Sequence, residues 1–176
     1  MSDEKQQQAK SKKDDWQTPE WLWKTIDRND EIDLDPCPGV DTEIGNHNID
    51  PRHHDGLDYP WEGTVFVNPP YSEKADWLEK VVEETKRNTV DTIYVITPDS
   101  TDVGSWWHKW IAPHASHTIF FEHRVKFVKP ETGEQAGNPP GGTALHIFGK
   151  VPHRVIEAFQ NGERGVDVVT RASRFD

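Results

Sequence analysis

The chain has 176 residues, enough for one domain with a sizeable core, since a domain of about 150 residues buries roughly 70% of its unfolded surface. A formal net charge of −11 argues against a generic nucleic-acid coat, which needs Lys and Arg in excess to meet phosphates. A single Cys rules out an intrachain disulfide framework, and no apolar run approaches the roughly 18 residues of a membrane span.

Residues 1–15 are polar and low in complexity, without the apolar stretch of a secretory signal. They read as a disordered tail ahead of a single domain over residues 16–176, in a cytoplasmic protein. Thr18 is a good N-cap and Pro19 a good first helical residue, so a helix is expected from there to about Asp27. Glu31 to Asp35 alternates like a strand and stops at Pro36, and a short strand is expected near Asn48-Ile49. Thr64 to Val67 is the next strand. Ser72 then caps an amphipathic helix reaching Arg87, with Trp77, Leu78, Val81 and Val82 as its apolar stripe. Asp91 to Thr97 is a nearly continuous apolar run, as in a buried strand. A helix over Val103 to Ile111, a strand over His117 to Glu122, a loop over Gly137 to Gly142 and a strand over Thr143 to Phe148 follow. A helix over His153 to Gln160 and a strand over Val166 to Val169 complete the chain. Strands alternating with helices predict an α/β fold, a mostly parallel sheet with helices on both faces.

The most informative stretch is Asn68-Pro69-Pro70-Tyr71, a loop at the C-terminal end of a strand, where open α/β sheets put their ligands. The Asn68 side-chain carbonyl and the Pro69 backbone carbonyl can both accept from an exocyclic NH2, the prolines stiffen the loop, and Tyr71 offers a stacking face. The same four residues also suit a Pro-rich turn after an edge strand. Asp35-Pro36-Cys37 ends the first strand, where an acid can receive the ammonium or ribose of a nucleotide-like cofactor or simply cap a turn. Asp55 can accept from an adenine amino group, and Leu57 can pack on its ring. His53 and His54 are adjacent and point apart, and the lone Cys has no partner at ligand spacing, so no metal is expected. Arg124 and Phe127, a cation and an aromatic in the basic run His123 to Lys129 with Lys126, suit contact with phosphate and base; a snorkelling Arg and a core Phe are the alternative. The eight Trp residues read as packing. No Gly-x-Gly-x-x-Gly or Walker loop is present.

In order along the chain, Thr18-Pro19, Asp35-Pro36-Cys37, Asp55-Gly56-Leu57, Asn68 to Ser72 and Arg124-x-x-Phe127 resemble the phage-type DNA N6-adenine methyltransferases, the Dam-like enzymes of bacteriophages and prophages. The resemblance spans roughly Trp16 to Phe148. It implies a Rossmann-like, S-adenosylmethionine-dependent methyltransferase fold with Asn68, Pro69, Pro70 and Tyr71 as the catalytic loop. It implies Thr18 and Pro19 near the methionine end of the cofactor, Asp35, Pro36 and Cys37 at its ammonium or ribose side, Asp50 as a candidate for the ribose hydroxyls, and Asp55 and Leu57 near its adenine. Ser72, Arg124, Lys126 and Phe127 fall on the DNA side. The expected partner is double-stranded DNA, in the host cytoplasm if the protein is viral, and shielding phage DNA from host restriction is the natural purpose. The same tetrapeptide also serves methylation of RNA adenine or protein glutamine amides, and a non-catalytic DNA-binding protein on the same fold is a third reading.

Overall fold

Two strands with opposite-facing apolar residues make the centre of the molecule. Val65, Val67, Ile93 and Val95 turn to one side and Phe66, Tyr94 and Ile96 to the other, so that both faces of the sheet carry a core. The computed structural model describes residues 16–39, 42–137 and 141–171. The expected tail, with Lys10, Lys12 and Lys13, and the middle of the Gly137 to Gly142 loop lie outside the described residues.

In chain order the elements are α1 (Glu20–Asp27), β1 (Leu34–Asp35), β2 (His47–Asn48), β3 (Gly63–Val67), a 3-10 turn (Tyr71–Glu73), α2 (Lys74–Thr85), β4 (Val90–Pro98), a π-helical turn (Trp107–Ile111), β5 (His117–Phe121), β6 (Thr143–Gly149), α3 (His153–Gln160) and β7 (Val166–Thr170). Among the described residues they form one seven-stranded sheet in the order β2-β1-β3-β4-β6-β5-β7. The core on one face joins α2 and the π-helical turn through Trp77, Leu78, Val81, Trp107 and Ile111. The other face joins α1 and α3 through Leu22, Ile26, Val155, Ile156 and Phe159. Burying each such side chain contributes about 1.5–3 kcal/mol.

The expectation of a mostly parallel sheet holds for β2, β1, β3 and β4 and fails beyond them: β4 with β6, β6 with β5 and β5 with β7 all pair antiparallel. Parallel neighbours need a crossover, usually a helix, whereas the described residues between β5 and β6 contain none and β6 returns antiparallel between β4 and β5.

Three local expectations are corrected. Pro19, not Thr18, is the N-cap of α1, with no side-chain capping bond, because the Thr18 hydroxyl is used elsewhere. Ser72 lies inside the 3-10 turn and Glu73 caps α2, since Pro70 leads the chain into a tighter turn first. The helix expected over Val103 to Ile111 is a π-helical turn, in which the His108 and Ala112 amides reach back five residues to the Val103 and Trp107 carbonyls.

Candidate active site

The chain runs from β1 outward to β2 and then returns to the other side of β1 as β3, so strand order reverses between β1 and β3. Ligands in open sheets sit in the crevice beyond the carboxyl ends of strands at such a point. Register then dictates which loops meet there. Leu34 pairs with Val65, which carries Cys37 opposite Asn68, and the Cys37 thiol indeed reaches the Asn68 carbonyl oxygen at 3.4 Å. Burial and the neighbouring Asp35 push that thiol up, which keeps it protonated and able to donate. Val67 pairs with Val95 and Pro98 with Thr143, so the Asn68 loop, the end of β4 and the start of β6 face the same space.

That space is a cavity of about 280 Å³. Its floor is Asn68, Pro69, Ile96, Thr97 and Thr143, and its walls include three aromatic rings, Trp16, Tyr71 and Phe127. Trp16, read from the sequence as a packing residue, lines this cavity. An antiparallel bridge between Gln17 and Val128 ties the segment before α1 to the β5–β6 connection, which brings Trp16 and Phe127 to one mouth. Tyr71 is 62% exposed, a large aromatic left facing out. The Lys74 ammonium lies 4.0 Å from the Tyr71 ring centroid and 5.0 Å from that of Trp106, and this side chain is buried and lines the cavity. Lys74 escaped sequence reasoning although its spacing from Tyr71, one turn on, was a usable signal.

The Asn68 side chain is held from behind. Its Nδ2 donates to the Trp16 carbonyl at 3.4 Å and to Thr18 Oγ1 at 3.2 Å. Thr18 and Pro19 are both buried here, Thr18 against the Asn68 side chain.

The remaining predicted residues fall on the neighbouring strand ends. Asp35 is 2% exposed, its Oδ1 accepts from the Cys37 amide at 3.0 Å, and burial pushes its carboxyl up to about 7. Pro36 is buried, and its carbonyl oxygen lies 1.9 Å from where a Cβ on Gly56 would stand. Only glycine permits that approach, and it presses the Asp55 to Leu57 turn onto the end of β1. Asp55 is exposed and caps the turn through the Leu57 amide at 2.9 Å, while Leu57, like Cys37, packs half-buried against the core. Trp61 braces the turn, its indole NH donating to the Gly56 carbonyl at 3.0 Å and its amide to the buried Glu84 at 3.2 Å. Asp50 follows β2 on the same edge, but its carboxylate is gripped by Arg52 at 2.9 and 2.7 Å, which holds it well below the usual carboxylate range. Arg124, Lys126 and Ser72 are exposed and stand outside the cavity wall, whereas Phe127 is part of it. Among the described residues no group of three or more His, Cys, Asp or Glu is arranged to hold a metal ion, and no helix is long and apolar enough to cross a membrane.

A stiff acceptor loop beside an aromatic cavity, with a buried carboxylate on the adjoining strand, suits an enzyme that moves a group onto a planar amine. The comparisons with known proteins return that class and make it specific. Residues 5–166 match the family described as DNA N-6-adenine-methyltransferase (Dam), and the chain belongs to this family. It is also 25% identical over 144 residues, 79% of this chain and 80% of the relative, to the DNA N-6-adenine-methyltransferase of Haemophilus phage HP1 (strain HP1c1). Its activity is methylation of adenine in DNA at N6.

Proposed function

We propose that the methyl donor is S-adenosylmethionine, held at the ends of β1 and β2 on a Rossmann-like methyltransferase sheet, and that the acceptor is an adenine turned out of double-stranded DNA into the cavity. The order β2-β1-β3-β4 followed by a reversed β6 between β4 and β5 supports the fold. The fit of the donor rests on Asp35: a buried carboxylate with a raised pKa at a switch point is poised for a cation, and the donor carries an ammonium and a sulfonium. Asp35, Pro36 and Cys37 would hold its methionine and ribose side, and Asp55 and Leu57 its adenine. Asp50 fits the ribose only if shared with Arg52. Bound there, the cofactor supplies an electrophilic methyl on a positive sulfur.

The chain's own residues do the rest. The N6 amino group is paired inside a duplex, so the base must leave the stack, at a cost of a few kcal/mol. Stacking on Tyr71, with Phe127 and Trp16 across the mouth, returns roughly 1–3 kcal/mol per base. Asn68 Oδ1 and the Pro69 carbonyl accept from the amino group, drawing its lone pair out of the ring and stabilising positive charge as it grows on nitrogen. The prolines hold these acceptors in place, so alignment is present before reaction. The methylated nitrogen is acidic and releases a proton without a strong base. Arg124 and Lys126, exposed beside the mouth-forming Phe127, suit the phosphates of the flanking strand.

The single observation that carries this reading is the Asn68 loop opening on an aromatic cavity at the β1/β3 switch point. The test is incubation of mixed-sequence DNA with labelled S-adenosylmethionine, followed by mapping of N6-methyladenine. Asn68→Ala abolishes transfer while cofactor binding stays nearly intact; near-normal turnover in that variant refutes the mechanism.

A further inference from the structure

We propose that Thr18, together with the backbone carbonyl of Trp16, is a positioning device that fixes which end of the Asn68 amide meets the substrate. The inference rests on the reading of Asn68 as acceptor for the target amine. The two ends of an Asn side chain are nearly the same size and opposite in chemistry, one accepting and one donating. An amide turned by half a circle fits the same space but offers NH2 to an incoming NH2, and the acceptor is lost. Shape alone therefore does not protect the reaction from a misoriented Asn68.

The segment before α1 supplies the missing discrimination. A peptide carbonyl only accepts hydrogen bonds, so the Trp16 oxygen, 3.4 Å from Nδ2, rejects the turned amide outright. Thr18 Oγ1, 3.2 Å from Nδ2, is a second acceptor for the same NH2 group. With both bonds made, Oδ1 is the end presented to a donor. The strap carrying these acceptors is itself tied down: the Gln17 amide donates to the Val128 carbonyl and the Val128 amide to the Gln17 carbonyl, each at 2.9 Å. Thr18 is 5% exposed, and its hydroxyl does not cap the helix that begins just after it. A threonine at a helix start with its hydroxyl turned away from the helix is spent on Asn68.

The experiment compares Thr18→Val, which keeps the shape and loses the hydroxyl, with Thr18→Ser, which keeps it. Turnover is read on whichever amino acceptor the wild-type enzyme methylates, alongside cofactor affinity by calorimetry and hydrogen exchange of the Asn68 side-chain NH2 by nitrogen-15 spectroscopy, its signal assigned by its loss in Asn68→Ala. The expected result is a loss of roughly tenfold or more in kcat for Thr18→Val, a difference of about 1.4 kcal/mol. Cofactor affinity stays unchanged, exchange of the Asn68 NH2 is faster, and Thr18→Ser restores most of the turnover. Unchanged kcat in Thr18→Val overturns the proposal. So does a loss of cofactor affinity matching the loss of turnover, which would assign Thr18 to the cofactor, and so does equal damage in both variants. If the wild-type acceptor is not adenine N6, the substrate reading above fails, while the Val-to-Ser comparison still judges the lock.

Discussion

Replacing Asp35 with Asn removes a buried charge and little else, because the Asn side-chain oxygen can still accept from the Cys37 amide. In the free protein the Asp35 carboxyl sits at about 7, against 3.8 when unburied. A carboxyl whose folded pKa is raised favours folding fully below the unfolded value, and that advantage drains away as pH rises toward the folded one. Each pH unit across this interval costs ~1.4 kcal/mol, so above neutrality the ionised Asp35 destabilises the free protein by ~4 kcal/mol. Asp35→Asn is therefore expected to raise unfolding free energy at pH 8 by up to that amount and to change little at pH 4. The same substitution should weaken cofactor binding. An opposite charge a few ångströms away contributes about 1–4 kcal/mol, depending on effective dielectric, so affinity should fall roughly fivefold to 10³-fold. Wild-type affinity for S-adenosylmethionine should rise from pH 6 to about 7 and then level off, with a proton released on binding below that point. Denaturant unfolding at the two pH values and calorimetry in buffers of different ionisation heat measure both effects. An Asp35→Asn protein no more stable at pH 8, or a wild-type affinity flat from pH 6 to 8, refutes the reasoning.

His146 has the opposite sign: it is fully buried between the hydroxyls of Thr97 and Thr118 at 2.7 and 2.9 Å, and burial lowers it to about 3. Its contribution is complete above pH ~6.5 and drains as pH falls toward the folded value, costing ~2 kcal/mol by pH 5; wild type should lose that much more stability than His146→Gln between pH 7 and 5, measured by urea unfolding. Tyr71→Ala should weaken methylation more than Tyr71→Phe, with a difference of ~1–3 kcal/mol in kcat/KM, and equal losses would count against stacking. Gly56→Ala sets a methyl 1.9 Å from the Pro36 oxygen and 2.8 Å from Trp77, so it should destabilise by ~1–3 kcal/mol or more and weaken cofactor binding as the Asp55 turn lifts from β1; a melting point unchanged from wild type would contradict the close packing.

The amino-acid sequence by itself determined the pieces that depend on local pattern. Continuous apolar runs mark β3 and β4, amphipathic spacing marks α2, and Asn68 to Tyr71 stands out as a stiff acceptor loop because a strand end, two prolines and an aromatic need only one another. Tertiary structure decided whatever depends on pairing between distant segments. The direction of β6 and β7 is one case, since a strand's pattern is the same read up or down and only the connection and its neighbours choose. The wall of the cavity is another: Trp16, Lys74 and Phe127 are separated by dozens of residues and meet because the Gln17 to Val128 bridge closes one side of the mouth. Thr18 illustrates the division most directly. Its residue type and place beside Pro19 suit a helix cap, yet in the folded protein its hydroxyl bonds to Asn68, 50 positions away. A hydroxyl can satisfy either partner, and only the packed sheet brings the second one within reach.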